Sequence, residues 1–81
     1  MKYKHQLSDM TFANPLLQLA LKRLILACRS TVRLENYPDL AAATTEKEAG
    51  KILADQLLLC WEEHGLDAND VSFLAQLRAI P

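Results

Sequence analysis

At 81 residues the chain is long enough for one domain, and a domain of this size buries only about 60% of the surface its unfolded form exposes, so its stability margin is thin. Half of the residues are hydrophobic and sixteen are leucine, against two glycines and three prolines, a composition that favours helices and leaves little loop from which to build an active site. The net charge of −1 singles out no class of partner, but it hides a polarity along the chain: residues 1–34 carry six bases and one acid, residues 35–81 three bases and nine acids.

Residues 1–13 read as an arm, with Tyr3, Leu7, Met10 and Phe12 as scattered apolar positions and a short helical turn begun at Ser8 or Asp9. Met1–Asp9 is polar and lacks the apolar core of a secretory leader. Asn14-Pro15 is a helix start: asparagine accepts from the exposed backbone donors, and proline at the first helical position has no N–H to satisfy. The first long helix is therefore expected over 15–34, ending before Pro38. Its apolar side holds Leu16, Leu17, Ala20, Leu21, Leu24, Ile25, Ala27, Cys28 and Val32, and its polar side holds Gln18, Lys22, Arg23, Arg29, Ser30 and Arg33. Leu19 and Leu26 fall on the polar side, seven residues apart, where a lone bundle has no use for them. Gln18, Lys22 and Arg23 interrupt the longest apolar run, so no transmembrane segment is expected.

The stretch 35–44 is a connection with one turn of helix in its alanines. Thr45-Glu46-Lys47-Glu48 fits a capping box and opens a second helix over 46–64, with Gly65 placed to end it in the left-handed conformation. Gly50 inside it weakens the helix by about 1 kcal/mol relative to alanine. This helix is apolar around most of its circumference, which calls for cover on nearly all sides. The third helix, over 69–80 and capped by Asp67 or Asn69, turns Val71, Phe73, Leu74, Leu77 and Ile80 inward. The expected fold is all-α: one domain over residues 1–81, a small helical bundle of two long antiparallel helices, a shorter third helix and an N-terminal arm.

No phosphate-binding loop, nucleophile motif or paired-carboxylate arrangement is present, and the chain does not read as an enzyme. Cys60 and His64 share a helix face at a spacing that can chelate, with Cys28 and His5 available to complete a set. The close cysteine pairs of zinc sites are missing, however, so neither metal nor cofactor is expected and both cysteines are expected as buried thiols in a cytoplasmic protein. The passage Leu57–Leu77 has helix-turn-helix offsets, but Trp61 stands where a small residue is needed, and Asp67 and Asp70 would repel phosphates. Glu48, Asp55 and Glu62 recur every seven residues on the second helix, as do Lys22 and Arg29 on the first, so opposite charges flank apolar seams. The expectation that follows is a non-catalytic protein–protein interaction module, an adaptor, regulator or small subunit. Its partner is a protein, either a second copy or a larger chain, bound through Leu19, Leu26, Leu58, Leu59 and Trp61. Lys22, Arg23, Arg29 and Arg33 form a polar rim or, in the alternative, the phosphate-contacting face of a nucleic-acid-associated protein.

Overall fold

The computed structural model describes residues 6–27 and 33–81. It contains four α-helices, α1 (Pro15–Ala27), α2 (Pro38–Ala42), α3 (Glu46–Trp61) and α4 (Ala68–Arg78), and two 3-10 turns at Leu7–Asp9 and Leu34–Asn36. Among the described residues there is no strand, only an isolated antiparallel bridge between Gln6 and Arg33. The chain is an all-α bundle.

Local chemistry accounts for where the helices start. The Asn14 side-chain oxygen accepts from the Leu16 N–H at 2.8 Å, and Pro15 follows the cap directly. Thr45 accepts from the Glu48 N–H at 3.1 Å. The Glu48 carboxylate reaches back past Thr45 to the Thr44 N–H at 3.1 Å and the Thr44 hydroxyl at 3.2 Å. These hydrogen bonds, the Thr44 N–H foremost, hold the Glu48 carboxyl below its ordinary value of 4.5. Asp67, rather than Asn69, caps α4 in a reciprocal pair with Asp70.

Helix ends depart further from the sequence expectation. The first helix is described through Ala27, and Cys28–Val32 lie outside the described residues. It does not reach Leu34, because Arg33 is extended and paired with Gln6, and Leu34 opens a 3-10 turn that leads into Pro38. Tertiary pairing here overrides a weak local propensity. The second helix ends at Trp61 instead of His64: the His64 and Gly65 N–H groups donate at the tighter three-residue spacing to the Trp61 and Glu62 carbonyls, and Gly65 turns the chain at φ +80°.

The two long helices run in the same sense rather than antiparallel. Asn14 and Glu46, at their N-terminal ends, are joined by a 3.4 Å hydrogen bond, while Leu26 and Ala27 meet Cys60, Trp61 and His64 at the other end. Connection length explains this. Residues 28–45, with α2 among them, are enough to carry the chain back along the bundle before α3 starts, whereas the brief turn 62–67 forces α4 to return beside α3. The antiparallel pair is therefore α3 and α4. Trp61 meets Phe73 at one end, and Gly50 lies against Leu77 and Ile80 at the other.

The core is built mostly from leucine. Leu17, Leu21 and Leu24 of α1 close onto Leu53 and Leu57 of α3 and Leu77 of α4, and all six are sealed from solvent. Burying one such side chain contributes about 1.5–3 kcal/mol. The arm joins this core instead of lying apart: Leu7 is fully buried, and the Phe12 N–H donates to the Gln18 side chain at 2.7 Å. Gly50, expected only as a weak point, marks the closest approach of α3 to α4. A Cβ there would stand 2.6 Å from the Leu77 carbonyl oxygen. Val71, expected to face inward, is 54% exposed, because Phe73, Leu74, Leu77 and Ile80 share a stripe that leaves it on the far side of α4.

Candidate functional site

Ala27, the last described residue of α1, lies at the same end of the bundle as the last turn of α3, and two adjoining hollows open there. The first, of about 340 Å³, is lined by Arg23, Leu26, Ala27, Cys60, Trp61 and His64. The second, of about 430 Å³, is lined by Ala27, Leu59, Cys60, Glu63 and His64. Ala27, Cys60 and His64 belong to both, so the two form one groove that Ala27, Cys60 and Trp61 make partly apolar. Leu26 borders the first hollow and Leu59 the second, 74% and 62% exposed. Leucines left so open are ordinary when scattered, but two flanking one groove make a patch.

The parallel course of α1 and α3 creates this juxtaposition. An antiparallel pair would have placed Leu26 near the start of α3, far from Leu59. Trp61 forms part of the floor and packs against the Phe73 ring, with centroids 6.4 Å apart and the rings tilted by 46°. The guanidinium of Arg23 lies over the other reach of that assembly, 4.3 Å from the Phe73 centroid. A planar cation on an aromatic face is held in place while its in-plane N–H groups stay available to a partner.

The residues singled out in the sequence are thus distributed unevenly. Leu26, Leu59 and Trp61 come together at the groove. Leu19, 41% exposed, lies two turns earlier on α1 and extends the stripe through Arg23 to Leu26. Leu58 is half-buried and packs toward the core. Lys22 is exposed, Arg33 pairs with Glu35 at 3.1 Å beyond the end of α1, and Arg29 lies outside the described residues. The acidic series on α3 separates into different jobs: Glu48 closes the helix cap, Asp55 pairs with Arg78 of α4 at 2.7 Å, and Glu62 forms the cap at the far end. The seven-residue spacing therefore does not trace one seam.

Ala27, Cys60, Glu63 and His64 were not foreseen as groove residues, although Cys60 and His64 share a helix face, which was the available signal. Cys60, in the last turn of α3, is half-buried rather than buried. Cys28 and His5 lie outside the described residues. Among the described residues, no three potential metal ligands converge, and no helix is long and apolar enough to cross a membrane. No protein-family model, curated protein or solved structure matches the chain.

Proposed function

We propose that this chain is a non-catalytic protein–protein interaction module, an adaptor, regulator or small subunit that receives a protein partner in the groove between the ends of α1 and α3. The observation that carries this reading is that Leu26 and Leu59, the two most exposed leucines, line adjoining hollows that share Ala27, Cys60 and His64. Binding patches of this kind have an aromatic anchor at the centre and charge at the rim. Trp61 supplies the first, and Arg23 and Glu63 the second. The partner is a second copy or a larger protein, and the setting is cytoplasmic, in keeping with a chain that has two cysteines and no dense disulfide framework.

Support for catalysis is thin. Cys60 and His64 bring a thiol and an imidazole to the groove, but among the described residues no carboxylate or carbonyl holds the His64 ring in a defined orientation. For the nucleic-acid alternative, Arg33 is turned to Glu35, while Lys22 is exposed and Arg23 keeps its in-plane N–H groups open beside Phe73. Phosphate binding weakens steeply with salt, whereas docking on an apolar floor does not, so a salt titration separates the two.

Photo-crosslinking in the native cell tests the docking function. A photoreactive residue at position 26 or 59 is expected to give a discrete protein adduct that the same residue at Gln76, on the exposed side of α4, does not give. Equal, diffuse labelling at all three positions rules the groove out as a docking site.

A further inference from the structure

We propose that the occupant of the groove is a second copy of this chain, docked about a two-fold axis that sets Arg23 of each copy against Glu63 of the other; this rests on the docking function proposed above. Arg23 borders only the first hollow and Glu63 only the second, with Ala27, Cys60 and His64 between them. The apolar strip thus has a cation at one end and an acid at the other. The ion pairs among the described residues are Arg33–Glu35 and Arg78–Asp55, so neither Arg23 nor Glu63 is paired with another described residue.

A two-fold contact places the same patch on itself. With the axis lying across the strip, the positive end of one copy falls on the negative end of the other, twice, and the apolar centres meet. A strip with charges of one sign would repel its own copy. This one carries its own complement. The stack of Arg23 on Phe73 also holds the guanidinium in one orientation before contact, which lowers the ordering cost of forming the pair. Small domains often gain stability by this kind of association.

The test is sedimentation of the purified full chain at about 100 μM, comparing wild type with R23E, E63R, E63Q, an equimolar mixture of R23E and E63R, and the double variant R23E/E63R. Wild type is expected to dimerise. Each charge reversal should weaken the dimer about tenfold or more, because it turns two attractions into two repulsions. The mixture and the double variant should both recover it, since either restores opposite charges across the axis. Should R23E fail to fold for want of its Phe73 stack, the Glu63 series decides alone, with dimer strength falling from wild type to E63Q to E63R. A dimer indifferent to the Glu63 series, or one that the mixture or the double variant does not recover when R23E folds, overturns the register. A monomeric wild type overturns the second copy. Crosslinking at position 26 to a different protein would then leave the docking function standing, while a monomer without any specific adduct takes down both.

Discussion

The two ends of α3 follow opposite rules. Around Gly50 the helix lies so close to α4 that a single methyl group would meet the Leu77 carbonyl. Beyond Leu57, Leu59 is mostly exposed and Cys60 and Trp61 are half-buried, lining the hollows beside Ala27. In sequence the second end is the more apolar, with one charged residue over 54–61 against four over 46–53. What separates them is cover among the described residues: α2 and the arm gather at the first end, while α4 runs beside both. One end supplies stability, and the other supplies a surface.

The sharpest way to break this contrast is to shorten two leucines that are two positions apart. Leu57 is fully buried, so Leu57→Ala should cost about 2–5 kcal/mol, a large share of the stability of a small domain. Leu59→Ala should stay within about 0.5 kcal/mol, since its side chain is mostly in solvent. Urea denaturation of the two variants measures the difference, and similar losses would show the groove to be part of the core.

Gly50→Ala comes next, with an expected loss of about 1–3 kcal/mol from overpacking. The sign is informative because alanine is the better helix former by about 1 kcal/mol. A raised melting temperature would mean that α3 and α4 separate at little cost and that the closed end is not tight. Gly65→Ala sharpens the point from the other side. Nothing lies within 4 Å of a Cβ there, yet φ is +80°, so strain alone should cost about 1–2 kcal/mol. A thermal melt that shows no loss would require the turn to re-form without the left-handed residue.

The smallest effect concerns the cap at the start of α3. Glu48 has its folded pKa lowered by hydrogen bonds from Thr44 and Thr45, so its contribution is fully present above the ordinary value of 4.5 and is lost as pH falls through the folded value. The melting-temperature gap between wild type and Glu48→Gln should therefore be wider at about pH 7 than at about pH 3. A gap that does not change with pH would show that the carboxylate charge plays no part in the cap.

Much of the bundle is legible in the sequence because it is local. Asn14-Pro15, Thr45 to Glu48, and Gly65 each act within a few residues of themselves, and the structure uses all three where they were read. The exposure of Leu19 and Leu26 was legible for the same reason, since helical spacing alone puts them on the basic side of α1. The site was only half legible. Its leucines and its tryptophan stood out as surplus, but nothing in the sequence said that Leu26 and Leu59 would border adjoining hollows or that Arg23 would cross to Phe73.

The sequence by itself determined that this is an all-α chain, where its helices begin, and that it has more leucine than its core would absorb. Helix caps, turn glycines and apolar spacing act over one or two turns, so no distant partner is needed to read them. Only the tertiary structure decided that α1 and α3 run in the same sense, that Leu7 of the arm seals the core, and that Gly50 is the crossing point of α3 and α4. Each of those outcomes depends on which distant segments pack together. The free energy of that packing comes from excluding water across the whole bundle, and no single stretch of the chain carries it.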